Sequence, residues 1–405
     1  MGGRFDVVIA GGGAAGLSLA LSLAEAAGPA LTIALCDPAL ARPPQGDSRA
    51  YAIVAGARRF FDSFGAWAAM APHAEPMLRL EITDSALDDL VRPALADFAG
   101  ETGGGEAFAH MVPNGVILAA LHGRLAGTAI TVIGESVTGF ETVTGGVVAR
   151  TASRSLPARL LVAADGRASR LREQAGIAYF GWPYPQTAIV GTLHHSLPHE
   201  GVAVQHFLPA GPFAMLPLTG NRSSIVWNER SDVARRLAAL PAGERLEIVA
   251  ARAAGRFGTV TDFTDVATFP MSIGIARRFA GERIALVGDA AHGFHPIAGQ
   301  GLNYGLRGAA ALAETILDAA RMGLDVGSGA VLERYEAERR PDVMALAAAT
   351  EMLNRLFSTD SGAVRAVRDA GLAVVQRLPG LKSMLISAAA GDRSPAPRAF
   401  RGLPL

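Results

Sequence analysis

A glycine fingerprint near the start of the chain restricts the folds that it can adopt. Gly11-x-Gly13-x-x-Gly16 follows the apolar run at 5–10 and precedes a stretch of strong helix formers at 14–27. This order predicts a buried strand, a tight turn and a helix, the first part of a βαβ unit in a dinucleotide-binding sheet. The same stretch has too many glycines for a membrane-spanning helix and lacks the cleavage pattern of a signal peptide.

Each residue of the fingerprint has its own predicted role. Gly11 permits the tight turn, Gly13 lets the backbone approach a pyrophosphate, and Gly16 lets helix and strand pack closely. Ala15 lies in the same turn, and Asp37 ends the second predicted strand. The Asp37 carboxylate is therefore expected to bind ribose hydroxyls, the alternative being a glycine-rich turn without a ligand.

Two later strands also end in glycine-containing turns. Asp165-Gly166 closes the apolar run ARLLVA, and Asp289 ends the strand predicted at 283–288. A carboxylate at a buried strand end is costly unless something donates to it, and ribitol hydroxyls would do so. For Asp165-Gly166 alone, an ordinary turn followed by a helix cap at Ser169 is an equally good interpretation.

The third turn continues as HPIAGQGLN into a helix predicted from about 301 to 321. Gly299 and Gly301 leave backbone N–H groups free at the helix start, which stabilises negative charge such as that of a reduced flavin. His292 and His295 titrate near neutrality and could move protons, although structural histidines in a loop and helix cap are the alternative.

Composition excludes several other functions. The chain of 405 residues has 37 Lys plus Arg and 37 Asp plus Glu, so no net charge attracts nucleic acid. A single cysteine, Cys36, cannot form an internal disulfide, and no His and Cys residues have metal-ligand spacing. We therefore expect no metal, and a protein of the reducing cytoplasm.

The pattern of predicted elements divides the chain into alternating segments. The middle is rich in β-branched residues, proline and glycine, which predicts an antiparallel sheet inserted into the α/β pattern. The predicted segments are an FAD-binding domain at 1–75, 106–176 and 276–345, a substrate domain at 76–105 and 177–275, and a C-terminal helical region at 346–405.

The three motifs together identify a family. GGGAAG, ADGRASRLR and GDAAH with HPIAGQGLN resemble, in this order, the single-component flavoprotein hydroxylases related to para-hydroxybenzoate hydroxylase. The sequences at 49–53, 186–190, 211–218 and 224–227 are similar to those of the ubiquinone-biosynthesis hydroxylases of UbiH, UbiF and UbiI type. The resemblance implies a Rossmann-like α/β FAD-binding domain, an inserted antiparallel β-sheet substrate domain and C-terminal helices.

The resemblance also implies a reaction. Reduced FAD would take up oxygen as a flavin C4a-hydroperoxide, whose distal oxygen passes to the ring of a polyprenylated phenol. No residue is assigned a chemical step, although His295 and Pro296 are expected to line the flavin site. The residues expected to bind FAD are Gly11, Gly13, Ala15, Gly16, Asp37, Arg49, Asn114, Asp165, Gly166, Asp289, Gly299, Gly301, Leu302 and Asn303.

Substrate and partners are less sharply defined by the sequence. The expected pocket residues are apolar, although most apolar residues at strand spacing belong to a core. They are Val112, Phe207, Met215, Leu216, Trp227 and Pro296. Electrons would come from NAD(P)H or a redox partner, and the basic apolar stretch at 361–388 could contact the inner face of the membrane. The alternatives are a hydroxylase of a small soluble aromatic and a non-catalytic flavoprotein subunit of a quinone-biosynthesis complex.

Overall fold

The part of the chain that is described in a computed structural model has several gaps. It comprises residues 3–42, 47, 49–84, 94–99, 105–208, 211–294, 300–357 and 396–405, with the backbone alone at 84, 94–99 and 353–357. The predicted basic segment at 361–388 lies outside these residues. Within the described residues, no helix has both the length and the apolar character needed to cross a membrane.

Nineteen strands are found in the described residues. They are β1 Phe5–Ala10, β2 Ile33–Cys36, β3 Ala50–Val54, β4 Glu75–Met77, β5 Arg79–Asp84, β6 Ala94–Ala99, β7 Ala109–Pro113, β8 Thr131–Ile133, β9 Gly139–Val143, β10 Gly146–Arg150, β11 Ser155–Ala163, β12 Tyr179–His195, β13 Val202–Leu208, β14 Gly211–Leu218, β15 Arg222–Arg230, β16 Val260–Ala276, β17 Ala280–Gly281, β18 Ile284–Leu286 and β19 His292–Gly293.

Nine α-helices accompany these strands in the same described ranges. They are α1 Ala14–Ala27, α2 Ala55–Ser63, α3 Trp67–Met70, α4 Asn114–Leu125, α5 Arg170–Gln174, α6 Ser231–Ala239, α7 Ala242–Ala253, α8 Gly301–Arg321 and α9 Gly329–Phe357. Short 3-10 helices lie at Gly28–Ala30, Pro38–Ala41, Ala71–His73, Gly288–Ala290 and Arg398–Arg401.

The first sheet is the predicted dinucleotide-binding sheet. Its strand order is β17-β18-β11-β1-β2-β8, and β1 pairs in parallel with both β11 and β2. Strand β18 pairs in parallel with β11, so the strands that precede all three motifs are neighbours. Helices α1 and α8 pack on this sheet and bury Leu17, Leu19, Leu306 and Leu312 completely. Because parallel strands end at one edge, the three turns meet there.

The second sheet is the inserted one. Its order is β19-β16-β12-β15-β14-β13-β5-β6, and the pairs are antiparallel apart from β5 with β13. Helices α6 and α7 cover one face, where Phe213, Met215 and Trp227 are buried against Leu237 and Val249. These two helices were not predicted, because their sequence lies within a region whose proline, glycine and β-branched residues favour strands.

Two further differences from the prediction concern boundaries. The predicted boundary between 75 and 76 falls inside strand β4, which pairs with β7 in a third sheet that also contains β3. The predicted boundary between 345 and 346 falls inside α9, which is one continuous helix. The end of the chain returns to the first domain, where Phe400 is 1% exposed and packs 6.0 Å from the Phe60 ring.

Candidate functional site

The glycine fingerprint forms the turn between β1 and α1. Gly11 has φ +124°, and a Cβ there would lie 2.1 Å from the Ala164 carbonyl oxygen. A Cβ at Gly16 would lie 2.0 Å from the Gly11 carbonyl oxygen. Both glycines are therefore required by the protein backbone itself, which crosses here at close range.

Gly13 differs from these two glycines. It is exposed, it precedes α1 with φ −73°, and a Cβ there would meet no heavy atom within 4 Å. In the part of the chain that the structure describes, no contact requires a glycine at this position. The open space beside Gly13 lies at the N-terminus of α1, where backbone N–H groups attract phosphate.

Asp37 lies beside this turn. Its carboxylate oxygens accept hydrogen bonds from the backbone N–H groups of Gly12 and Ala39, both at 2.7 Å. A carboxylate has about four acceptor positions, so positions remain for hydroxyl groups of a ligand. Asp37 thus shapes the glycine turn and still presents a negative group at the end of β2.

The second and third motifs meet the first one at the same edge. The backbone N–H of Ala164 donates to Ala10, and that of Val287 donates to Ala163. A Cβ at Gly288 would lie 3.1 Å from Ala15, so α1 packs directly on the third turn. Sequence positions far apart therefore lie together at one edge of the first sheet, and we call the space beside this edge the cleft.

Two carboxylates of these turns are open to ligands. Asp165 and Asp289 are exposed in the cleft, and neither side chain has a hydrogen-bond partner among the described residues. The protein around Asp289 raises its pKa by desolvation, against the opposing effect of Arg167 and Arg49. A hydroxyl donor would relieve that desolvation.

Arg49 and Asn114 are brought together by a residue that the sequence did not single out. Asp47 accepts from the Arg49 Nε at 3.0 Å and from the Asn114 Nδ2 at 2.9 Å. Burial raises the pKa of Asp47, but hydrogen bonds from these two side chains outweigh it, and the pKa is lowered. The Arg49 guanidinium also lies 5.0 Å from the centre of the Phe269 ring, on the second sheet.

The start of α8 places the remaining predicted residues. Gly301 begins the helix, and a Cβ there would meet no atom of the described residues within 4 Å. Leu302 is partly buried against the core. The side chain of Asn303 donates to the Ala52 carbonyl at 2.8 Å and accepts from Val54 at 3.2 Å. Asn303 thus fastens α8 to β3, a role beyond the predicted contact with FAD.

The geometry of this edge fits FAD. No atom of the described residues fills the space beside Gly13 or Gly301. Gly13 directly precedes α1 and Gly301 begins α8, so the free N–H groups of both helix starts are near these spaces. Asp37 and Asp289 provide carboxylates at two strand ends for the ribose and ribitol hydroxyls. The same edge therefore offers donors to phosphates and acceptors to hydroxyls.

Residues missed by sequence reasoning join the two sheets at this cleft. Strand β19 pairs with β16 through Gly293 and Gly274, directly after the third motif. Arg167, in the second motif, hydrogen-bonds to Ser272 of β16. A Cβ at Gly293 would lie 2.7 Å from this guanidinium. Long-range pairing of this kind leaves no local sequence signal.

Four of the predicted pocket residues lie on the second sheet and are divided between its two faces. Met215 and Trp227 are buried among α6 and α7, away from the cleft, so they belong to a core. Leu216 alternates with Met215 and packs towards the first domain. In β13, Val204 and Leu208 face α6 and α7, so strand alternation places Phe207 on the opposite face. Val112 is fully buried in β7. We therefore leave Met215 and Trp227 out of the proposed pocket.

The face towards the cleft carries its own apolar cluster. Met271, Ala188 and Val190 are buried there, with Phe269 and Tyr184 packed against them. The Arg49 guanidinium lies 5.6 Å from the centre of the Tyr51 ring, and burial raises the pKa of the Tyr51 hydroxyl to about 12. Arg49 is thus near one aromatic ring of the third sheet, Tyr51, and one of the second sheet, Phe269.

The structure describes one of the two histidines that the sequence offered as proton-transfer groups. His292 is 3% exposed, its ring lies 4.8 Å from that of Phe294, and burial lowers its pKa to about 3. It is therefore neutral, as a structural histidine is. His295, Pro296 and Gly299 lie outside the described residues, and their predicted places at the flavin remain predictions.

Comparison with known proteins agrees with this geometry. The family model described as FAD binding domain matches residues 4–350. The chain is 40% identical to the ubiquinone hydroxylase UbiL of Rhodospirillum rubrum, over 99% of this chain and 93% of that protein. It is 30% identical to the 3-demethoxyubiquinol 3-hydroxylase of Escherichia coli, over 95% of this chain and 98% of that protein.

A solved structure shares the fold. The p-nitrophenol 4-monooxygenase PnpA of Pseudomonas putida superposes with a TM-score of 0.78 at 18% identity, covering 97% of this chain and 100% of that one. At this identity the likeness concerns the fold alone, including the inserted second sheet.

Proposed function

This chain belongs to the FAD-binding domain family and is an FAD-dependent aromatic-ring monooxygenase, and we propose from that premise that it hydroxylates a polyprenylated phenol in ubiquinone biosynthesis. One observation carries the proposal: Arg167 of the second motif hydrogen-bonds to Ser272 and Arg49 lies 5.0 Å from the Phe269 ring, which brings the edge formed by the three motifs beside the apolar cluster of Met271 on the inserted sheet. An aromatic ring held between them would lie beside the flavin. Relatives named as ubiquinone hydroxylases support this substrate class.

The protein's part in the reaction is binding and exclusion of water. Bound FAD supplies the oxygen-activating chemistry, and NAD(P)H or a redox partner supplies the electrons. With FAD bound, the N-terminus of α8 would stabilise negative charge on the flavin, and Asp37 and Asp289 would accept hydrogen bonds from its hydroxyl groups. The apolar cluster around Met271 keeps water from the ring.

A glycine pair tests the flavin site in cells. Gly301→Leu fills the open space at the start of α8, whereas Gly243→Leu places the same side chain in open space in the first turn of α7. In a deletion strain, mass spectrometry should find a prenylated phenol lacking one ring oxygen. The Gly243 variant should restore ubiquinone and the Gly301 variant should not.

The deletion strain also decides between substrate classes. If the ubiquinone level of the deletion strain is unchanged and no paralogue replaces the protein, a role in ubiquinone biosynthesis is excluded. The alternative, a hydroxylase of a small soluble aromatic, is then favoured. If the Gly301 variant restores ubiquinone although it binds no FAD, the alternative of a non-catalytic subunit in a quinone-biosynthesis complex is favoured.

Two methionines on opposite faces of one sheet test the pocket. Met271 faces the cleft and Met215 faces α6 and α7, and both are buried. Met271→Ala should raise the KM for a prenylated phenol without loss of FAD. Met215→Ala should cost about 2–5 kcal/mol of stability and leave KM unchanged. Equal KM values in the two variants would contradict the proposed pocket.

We also propose peripheral contact with the membrane that holds such a substrate. Phe180 and Trp182 are 73% and 37% exposed on one face of β12, with ring centres 5.7 Å apart and the exposed Arg277 nearby. Exposed aromatic rings beside a basic residue suit a lipid interface. Phe180→Ser with Trp182→Ser should abolish flotation with anionic liposomes. A C-terminal truncation would be a poor variant for this flotation assay, because it would remove the buried side chain of Phe400.

A further inference from the structure

A row of aromatic side chains lies along one strand of the second sheet. Phe180, Trp182 and Tyr184 are alternate residues of β12, so strand geometry places their side chains on the same face. The ring centres are 5.7 Å apart for Phe180 and Trp182 and 6.5 Å apart for Trp182 and Tyr184. From the first to the last of these residues the strand covers about 13 Å, which is longer than a single phenol ring. We call these three side chains the aromatic row.

The inner end of the aromatic row reaches the proposed pocket. Tyr184 is partly buried and packs against the apolar cluster of Met271. Phe269 packs on the same cluster, and its ring centre lies 5.0 Å from the Arg49 guanidinium. The aromatic row therefore begins at the cluster that lies beside the cleft.

A hydrogen bond holds the innermost ring of the row. The Tyr184 hydroxyl donates to the carboxylate of Glu351 in α9. This bond gives the polar atom of the ring a partner within the protein, so the rest of the ring is apolar surface. Because the bond joins β12 to a helix, we expect the ring to keep its orientation when a ligand binds.

The outer end of the aromatic row is open to solvent. Trp182 is 37% exposed and Phe180 is 73% exposed, so exposure increases outwards from the pocket. In the register of β12 with β16, Trp182 lies opposite Ile273 and Phe180 lies opposite Ile275, and opposite residues of paired strands share a face. Contiguous apolar surface of this kind is typical of a binding site, whereas single exposed apolar residues are not.

The chemistry of this surface indicates its ligand. Aromatic rings and isoleucine side chains bind apolar groups, and the hydroxyl of the row is bonded to Glu351. A row that begins at a pocket for an aromatic ring and ends in solvent fits a long apolar group attached to that ring. A phenol without such a group would leave the row uncovered.

We propose that the aromatic row binds the apolar tail of the phenol substrate and thereby makes the protein selective for phenols that carry such a tail. The proposal rests on the proposed function, which places the ring of the substrate beside Met271. Phe180 and Trp182 are also the rings proposed to contact the membrane. A tail would therefore pass from lipid to the pocket along apolar surface throughout.

A pair of substrates tests the proposal. One is a phenol with a short prenyl tail that dissolves without detergent or lipid, and the other is the same phenol without the tail. In the FAD-loaded protein, Trp182→Ala should raise the ratio of the KM for the tailed phenol to the KM for the tail-less phenol about tenfold, because it removes the central ring of the row. No membrane is present in this assay, so a loss of membrane contact cannot produce the change.

Two variants control for general effects of a substitution. Trp182→Phe keeps an aromatic ring and should keep the KM ratio close to that of the wild type. Leu197→Ala removes a 55% exposed apolar side chain beyond the other end of β12 and should not change the ratio. A wild-type ratio in Trp182→Ala would overturn the proposal, even if that variant no longer floats with liposomes. An equal rise of both KM values would overturn it as well.

Fluorescence reports on the aromatic row without any turnover. Trp182 is exposed, whereas the other two tryptophans of the chain, Trp67 and Trp227, are 9% and 1% exposed. A short prenyl alcohol, which has the tail but no phenol ring, should shift the tryptophan emission of the wild type to shorter wavelength and leave that of Trp182→Phe in place. Absence of the shift in the wild type would overturn the proposal. Hydroxylation of neither phenol by the wild type would instead count against the proposed function.

Discussion

Two glycines of the same fingerprint should respond to alanine in different ways. At Gly16 a Cβ would lie 2.0 Å from the backbone carbonyl oxygen of Gly11, and backbone cannot move aside as a side-chain end can. At Gly13 a Cβ would meet no atom within 4 Å, and φ is −73°. We therefore expect Gly16 to be needed for folding and Gly13 to be needed for binding of the ligand.

The expected magnitudes follow from these distances. Overpacking a tight interior costs about 1–3 kcal/mol. A Cβ that lies 2.0 Å from a backbone atom belongs at the upper end of this range. Gly16→Ala should therefore lower the free energy of unfolding by about 3 kcal/mol. Gly13→Ala should change it by less than about 0.5 kcal/mol, as exposed substitutions do. Its Cβ would enter the space predicted for the pyrophosphate and should weaken FAD binding at least about tenfold, or 1.4 kcal/mol.

The assay separates stability from affinity. Urea unfolding of the flavin-free proteins gives the first quantity, and titration of flavin fluorescence gives the second. Wild-type FAD affinity in Gly13→Ala would refute the placement of the pyrophosphate. Wild-type stability in Gly16→Ala would refute the close crossing of α1 and β1.

Three further predictions concern the site and the end of the chain. The pKa of Asp289 is raised in the folded state, so its ionised form destabilises the FAD-free protein above pH 3.8. Asp289→Asn should therefore make that protein more stable to urea at neutral pH, and this gain should disappear below pH 3.8. The same variant should release FAD on gel filtration. The pKa of His292 is lowered from 6.5 to about 3, so the wild type should lose stability as the pH falls below 6.5, by up to about 1.4 kcal/mol per pH unit. His292→Gln should lose less stability over the same pH range. Parallel curves of urea midpoint against pH for the two proteins would contradict this. Phe400→Ala should lower the free energy of unfolding by about 3–5 kcal/mol, whereas the exposed Leu403→Ala should leave it unchanged.

The sequence alone predicted the elements whose signals are local. Helix α8 begins and ends where predicted, at Gly301 and Arg321, and α1 covers the predicted 14–27. Both follow glycine turns and consist of helix formers, so nothing distant is needed to specify them. The FAD class followed for the same reason, because each motif is a short strand end with a carboxylate or glycine at a defined spacing.

Only the tertiary structure decided which distant residues meet. Asp47 joins Arg49 to Asn114, and Arg167 reaches Ser272, because separate strands end beside one another. The face on which Met215 or Met271 lies also depends on what covers the sheet, since alternation defines two faces but does not identify the buried partner of each. Periodicity depends on residues that are neighbours in sequence, whereas a binding site depends on residues that are neighbours in space. Hydrophobic packing of whole layers decides which residues become neighbours in space.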